Sequence, residues 1–257
     1  MNALKVAIMI GTAGSGKTAL TESLAFYINR KGEDVCILNL DPGVLSEELP
    51  YDPDIDVREF VRAEEIMKKY RLGPNGALIA SMDLLLEHIH ELRDRIREMD
   101  PEILLVDTPG QMEIFAYRLS GQAILKEILN FPDTKVGLIY LLDPYLCTIS
   151  PNTIMSVLLL ASSIYWRFLI PTIYALTKID LFDNRDISRL VEIIKAPSKI
   201  MDFMGDFPLG NEAAPWLSVI TENEEILSKE IIPISAVTGE GMIDLYSELL
   251  NIWSETG

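Results

Sequence analysis

Short apolar runs alternate along this chain with longer stretches in which apolar residues return every three or four positions. The runs are Leu4–Ile10, Glu33–Leu40, Glu102–Asp107, Val136–Leu142, Ile170–Thr177 and Ile231–Ser235, and their near-continuous apolar character predicts strands buried on both faces. Between them, Ala19–Ile28, Val57–Tyr70 and Ala77–Glu98 carry helical spacing, and a closing helix follows Gly241. In the longest of these, Leu78, Met82, Leu85, Ile89, Leu92 and Ile96 share one face. Gly73-Pro74-Asn75-Gly76 breaks the pattern between the second and third helices and predicts a helical hairpin. Residues 44–56 and 197–222 show no period and read as a loop and an irregular excursion. Apolar strands separated by helices, with polar residues just after each strand, predict an α/β fold. The sheet is expected to be doubly wound and mostly parallel, with the helical hairpin inserted at about residues 50–100, and to bind its ligand at the carboxyl ends of its strands. No repeat or linker divides the sequence, so residues 1–257 are expected to form a single domain.

Composition changes this picture little, and charge narrows it. With 49% hydrophobic and 24% charged residues, the chain is of ordinary globular composition. A net charge of −17 argues against direct binding of nucleic acid or of an anionic membrane surface. The most membrane-like stretch, Thr153–Leu176, is broken by Ser156, Ser162, Ser163, Arg167 and Pro171, and predicts a buried helix followed by a buried strand. Cys36 and Cys147 lie in separate apolar runs and read as free buried thiols, and no charged-then-apolar leader precedes the first strand. Both features point to the cytoplasm. An acidic chain that binds an anion must concentrate its positive potential at one place.

That place is Gly11-Thr12-Ala13-Gly14-Ser15-Gly16-Lys17-Thr18, which sits between the first strand and the first helix. Strand, glycine-rich turn, Gly-Lys-Thr and helix make the context in which a Walker A pattern means a phosphate-binding loop, and the fold a P-loop NTPase. Glycines let the backbone wrap a polyphosphate so that successive N–H groups point inward, and the helix N-terminus adds its positive dipole end. Gly11, Ala13, Gly14, Ser15, Gly16, Lys17, Thr18 and Ala19 are the expected nucleotide-holding positions. Lys17 would reach the β- and γ-phosphates, and the Thr18 hydroxyl would ligate Mg²⁺.

Two further strand ends carry matching chemistry. Asp107-Thr108-Pro109-Gly110-Gln111 stands where a Walker B acid belongs: Asp107 can hold Mg²⁺ directly or through water, and the Gly110 N–H can face the γ-phosphate. Thr177-Lys178-Ile179-Asp180 is the base-reading element. A carboxylate at Asp180 can accept two hydrogen bonds from guanine, whereas adenine would leave it unpaired. The stem of Lys178 can lie along the ring face. The first position of such an element is usually Asn, and Thr177 departs from it. Ser235-Ala236, after the last strand, can offer a backbone N–H to the guanine carbonyl oxygen.

Taken in order and spacing, these pieces, with Asp41-Pro42 after the second strand and Gly73-Pro74-Asn75 between the inserted helices, resemble the GPN-loop GTPases over essentially the whole chain. The resemblance implies GTP as substrate and GDP as product, with Mg²⁺ held by Thr18, Asp41 and Asp107. It implies a homodimer in which the Gly73-Pro74-Asn75 loop of one subunit reaches the nucleotide of the other, Asn75 making a polar contact near the γ-phosphate. Lys17 and Asp107 join Asn75 in the expected catalytic set, while Gln111, Glu113 and Asp41 would orient the attacking water. Eukaryotic members of the family are linked to RNA polymerase assembly, which offers a protein client. This chain ends at Gly257, soon after its last helix, with no client-binding tail.

Other readings stay open at this stage. An assembly chaperone would use hydrolysis only as a timer. A P-loop kinase or ligase would need an acceptor site and an arginine-rich lid, which the sequence does not display. A metallochaperone would want a Cys/His cluster, and His88 and His90, two apart on a helix, point to different sides. The helix Asn152–Phe168, uncharged until Arg167, is a candidate dimer surface and equally a core helix.

Overall fold

The computed structural model describes residues 3–45, 47, 49–149, 151–195 and 231–255. The strand β1 (Lys5–Gly11) runs through the middle of the molecule, and Val6 through Ile10 are wholly shielded from water. Its alternation divides the interior in two. Val6, Ile8 and Ile10 point into one core and Ala7 and Met9 into the other, as the two-residue period of a strand requires.

The remaining strands are β2 (Val35–Asn39), β3 (Ile55–Asp56), β4 (Ile103–Asp107), β5 (Lys135–Leu142), β6 (Thr172–Leu176) and β7 (Ile231–Pro233). They form one sheet in the order β3-β2-β4-β1-β5-β6-β7, with every pairing parallel. The chain thus builds outward from β1 first to one side and then to the other. The crevice lies where that direction reverses, beyond the carboxyl ends of β1 and its neighbours.

The helices are α1 (Lys17–Arg30), α2 (Ala63–Tyr70), α3 (Pro74–Leu84), α4 (Ile89–Met99), α5 (Met112–Ala116), α6 (Leu119–Ile128), α7 (Pro144–Ile149), α8 (Pro151–Phe168), α9 (Asn184–Lys195) and α10 (Met242–Glu255). Leu20, Leu24 and Ile28 of α1 pack with Leu245, Leu249 and Trp253 of α10 on the Met9 side of the sheet. The opposite core collects Met82, Leu92, Phe115, Ile124, Leu158, Ile164 and Ile187 from α3, α4, α5, α6, α8 and α9.

Two sequence expectations change. Residues 55–56, read as part of a loop, form the edge strand β3, because the Asp54 carboxylate accepts the Ile37 N–H at 2.8 Å and seats the chain against β2. The single helix expected over Ala77–Glu98 is two helices, separated by a 3₁₀ turn at Leu85–His88. At that turn His88 leaves the helical ladder, stacks on Phe60 at 5.5 Å and contacts Glu91. Met82, Leu85, Leu92 and Ile96 stay buried through the change, so the apolar face survives the break.

The Gly73-Pro74-Asn75 triplet is the start of α3, with Pro74 in the first helical position, where its missing N–H costs nothing. α2 ends at Arg71 in the left-handed conformation, φ 55°, and packs antiparallel to α3 as the expected hairpin. The helix and strand expected within 153–176 are α8 and β6, with Ile154, Leu158, Ala161 and Ile164 buried and Trp166 exposed. Among the described residues no helix is long and apolar enough to cross a membrane. The excursion expected at 197–222 lies outside the described residues.

Candidate functional site

The turn after β1 takes its shape from its glycines. Gly14 and Gly16 have φ of 76° and 96°, a region in which L side chains are strained. At Gly11 a Cβ would stand 2.8 Å from the Ser15 hydroxyl and 3.0 Å from the Leu141 carbonyl oxygen, so only glycine lets the loop close on β5. α1 then begins at Lys17 with no acidic residue in its first turn, which leaves its dipole free to act on an anion. Lys17 is 5% exposed, and its ammonium donates to the carbonyls of Gly11 at 2.8 Å, Thr12 at 3.1 Å and Gly110 at 3.1 Å. Burial lowers its pKa to about 8, outweighing the attraction of Asp107, Asp41 and Glu113.

Parallel pairing sets Asp107 beside Met9 and Asn39, so the ends of β1, β2 and β4 meet at this loop. The Thr108 hydroxyl fastens them by donating to the Met9 carbonyl at 2.6 Å. Asp107 is 2% exposed. Its Oδ2 accepts a hydrogen bond from the Tyr51 hydroxyl at 2.7 Å, while Oδ1 is buried without a hydrogen-bond partner. Burial raises the Asp107 pKa to about 6, against the pull of Tyr51, Thr18 and Lys17. A buried, unpartnered carboxylate oxygen next to a lysine and a threonine fits a site for a divalent cation completed by phosphate oxygens.

Asp41 is held differently from what the sequence suggested. Its Oδ1 accepts the Gly43 N–H at 2.8 Å and its Oδ2 the Gly110 N–H at 2.9 Å. The Gly110 peptide, whose N–H was expected to face a γ-phosphate, is therefore clasped at both ends, by Asp41 on its N–H and by Lys17 on its carbonyl. Gln111 reaches the inserted hairpin: its Nε2 donates to Asn75 Oδ1 of the same chain at 3.2 Å. Glu113 is exposed at the start of α5 and acts on Lys17 through its charge.

The base-reading residues gather at the ends of β6 and β7. The buried Thr177 hydroxyl lies 2.9 Å from the Ser15 carbonyl and 3.1 Å from that of Leu142, so it ties the phosphate loop to β5 and β6. The hydroxyl that replaces the usual Asn amide thus makes a structural bond to the loop. The Ser235 hydroxyl donates to Asp180 Oδ1 at 2.6 Å and orients an otherwise exposed carboxylate. The Ser235 N–H is committed to the Glu240 carbonyl at 3.0 Å, so the amide offered to a base here is that of Ala236. Lys178 donates to Asp143 Oδ2 at 2.8 Å.

Thus Gly11, Ala13, Gly14, Ser15, Gly16, Lys17, Thr18, Ala19, Asp41, Asp107, Gln111, Thr177, Lys178, Asp180, Ser235 and Ala236 all lie at the carboxyl edge of the sheet, with the Gly73-Pro74-Asn75 loop beside them. Sequence reasoning missed two residues. Tyr51 lay in an aperiodic stretch with nothing to single it out. Asp143 ends a strand as Asp107 does, and that position was the available signal.

Comparison with known proteins gives the chain a family. A family model described as "Conserved hypothetical ATP binding protein" matches residues 9–254. A GPN-loop GTPase of Pyrococcus abyssi is 36% identical over 248 residues, covering 93% of this chain and 94% of that protein. GPN-loop GTPase 1 of Dictyostelium discoideum is 32% identical, and the matched region is 94% of this chain but 60% of that longer protein. The crystal structure of a GTPase in apo form from Pyrococcus abyssi superposes with a TM-score of 0.82 at 35% identity, covering 97% of both chains. Family model, relatives and solved structure converge: the chain belongs to the GPN-loop GTPase family.

Proposed function

We propose that this protein hydrolyses GTP to GDP and phosphate as a Mg²⁺-dependent, homodimeric, cytoplasmic switch, whose nucleotide state serves assembly of a protein complex. The family model's description speaks of ATP and the relatives' names of GTP. The observation that supports guanine is Asp180, whose carboxylate accepts a hydrogen bond from the Ser235 hydroxyl at the strand end next to the phosphate loop. A carboxylate so placed matches the ring N–H and exocyclic amine of guanine and meets an acceptor in adenine.

The chemistry follows from the groups present. Amides of residues 13–18 and the start of α1 hold the triphosphate, and Lys17 exchanges three backbone carbonyls for phosphate oxygens. Thr18 and Asp107, with Asp41 nearby, would hold Mg²⁺, which neutralises charge on the β- and γ-phosphate oxygens when bound. Gln111 and Glu113 orient a water whose oxygen attacks the γ-phosphorus in line, as the bond to the β,γ-bridging oxygen breaks. Release of the Gly110 peptide from Asp41 frees its N–H for the γ-phosphate and the Asp41 carboxylate for the metal or water. Asn75 then contacts this centre from its own chain, as Gln111 indicates, or from the partner subunit of a dimer.

A second reading, hydrolysis as a timer for holding a client, has one observation in its favour. A cavity of about 570 Å³ lies between residues 41–45 and the α2–α3 hairpin; its wall of Leu45, Met67, Ala77 and Leu78 continues into Ala13, Asp41, Gly110 and Gln111 of the phosphate end, so a client segment held there would sense the nucleotide. A pull-down that returns no partner in either nucleotide state removes this reading.

The deciding experiment compares GTP and ATP hydrolysis by the wild type and Asn75→Ala across protein concentration. GTP preference, a rate per subunit that rises with concentration, and a loss of about 10²-fold in kcat for the variant are expected. Equal rates for the two proteins would reduce the loop to a turn, and equal rates for the two nucleotides would overturn the GTPase reading.

A further inference from the structure

We infer that Asp143, at the end of β5, is a positioning residue for the nucleotide base, acting through Lys178. The inference rests on the GTPase reading above. Lys178 is one of a few described non-glycine residues with positive φ, at 55°. A lysine adopts that conformation uncommonly, where its surroundings favour it. Here they do: Thr177 before it is bonded to the Ser15 and Leu142 carbonyls, and after it the Ile179 N–H reaches Ile234 and the Leu181 N–H returns to the Lys178 carbonyl. The conformation sends the side chain across the phosphate loop, where its Cε lies 3.9 Å from the position a Cβ would take on Gly16.

Asp143 takes hold of the far end. Its Oδ1 accepts the Tyr145 N–H at 3.0 Å and its carbonyl accepts from Leu146 and Cys147, so it caps the first turn of α7. With one oxygen pinned by that cap, the carboxylate cannot swing, and Oδ2 meets the Lys178 ammonium at 2.8 Å. The Asp143 side chain is 11% exposed and that of Lys178 is 32% exposed. The four-carbon stem of Lys178 is therefore stretched between a strained backbone and a fixed anion, beside the phosphate loop and near Asp180. A free lysine would lose its rotamer freedom only when a base landed on its stem, whereas this one has lost it on folding. Asp143 thereby prepares the apolar shelf on which the purine ring lies, and it does so without touching the nucleotide.

The test is Asp143→Asn, which keeps a capping side chain and its volume but removes the charge that holds the ammonium. Titrations of GDP and of inorganic tripolyphosphate, which has no base, are compared in wild type and variant. GDP affinity is expected to fall about tenfold, through faster dissociation, while tripolyphosphate affinity does not fall. Added to Lys178→Met, which keeps most of the stem and removes the ammonium, Asp143→Asn should cause no further loss, because its effect runs through that lysine. Unchanged GDP affinity in Asp143→Asn overturns the inference, as does an equal loss for GDP and tripolyphosphate or full additivity in the double variant. A wild type that binds tripolyphosphate but shows no preference for GDP over ADP sinks the GTPase reading itself, which is a separate result.

Discussion

The two ends of the nucleotide site are held by different kinds of contact. At the base end, Thr177 is bonded to Ser15, Ser235 to Asp180, and Lys178 to Asp143, through side chains that are buried or carry a charge. None of these bonds must break for a base to enter. At the phosphate end, Lys17 is spent on three carbonyls, Asp41 on two amides, and Gln111 on an exposed contact to Asn75. Most of these must be given up before a γ-phosphate can be gripped. Under the proposed function, the contrast separates recognition, which is prepared in advance, from hydrolysis, which has to be assembled by the ligand. A switch needs that division, because only contacts that differ between nucleotide states can report which one is bound.

The largest effect should come from removing the prepared reader. Asp180→Ala is expected to lower the GTP-over-ATP ratio of kcat/KM about 10³-fold, since in the proposed reading the carboxylate both pairs with guanine and repels adenine. Retention of the preference would mean that the base end does not read the base. At the assembled end, Gln111→Ala should lower kcat by about 10²-fold and leave GDP affinity near that of the wild type. A large fall in GDP affinity instead would erase the division between the two ends.

Acidity sharpens the comparison, because Lys17 and Asp107, both at the phosphate end, have shifted pKa values. Lys17 has its pKa lowered from 10.5 to about 8, so in the free protein it loses its charge above pH 8. Asp107 has its pKa raised to about 6, so it takes up a proton below that pH and can no longer hold a cation. The ratio kcat/KM, which reports the free protein, should form a bell with limbs near pH 6 and pH 8, falling up to about tenfold per pH unit outside them. GDP-over-ADP selectivity should stay flat across the same range, and a selectivity that tracked either limb would join the two ends again.

The fold and the strand-end motifs were legible in the residues themselves, but not the division between the two ends. Strand ends marked by Gly-Lys-Thr, Asp-Thr-Pro-Gly and Lys-x-Asp announce chemistry locally, since each needs a particular side chain at a fixed distance from a strand. The parallel sheet followed from apolar runs buried on both faces. What could not be read were contacts joining segments far apart in the chain. Asp143 meets Lys178 across 35 residues and Tyr51 meets Asp107 across 56, and no period or motif links either pair. The 3₁₀ turn at Leu85–His88 escaped for a related reason: it depends on His88 stacking against Phe60, while the apolar spacing through it remains that of a continuous helix.

The smallest expected effect tests whether Tyr51 belongs with the contacts that persist or with those that are given up. Its hydroxyl donates to Asp107, and burial raises the pKa of both groups. Because the folded pKa of Asp107 is raised from 3.8 to about 6, the buried carboxylate costs stability as pH rises through that window, about 3 kcal/mol in full above it. The Tyr51 bond offsets part of that cost by favouring the ionised form. Tyr51→Phe should therefore destabilise the protein by ~1–2 kcal/mol at pH 8, by much less at pH 4.5 where Asp107 is protonated, and should move the acid limb of kcat/KM upward by about one pH unit. Urea midpoints at the two pH values measure the first part and a pH–rate profile the second. If the variant is instead more active at neutral pH, with its acid limb unmoved, the tyrosine obstructs the cation's place and must leave when GTP binds. Tyr51 would then join Lys17 and Asp41 among the contacts that are given up.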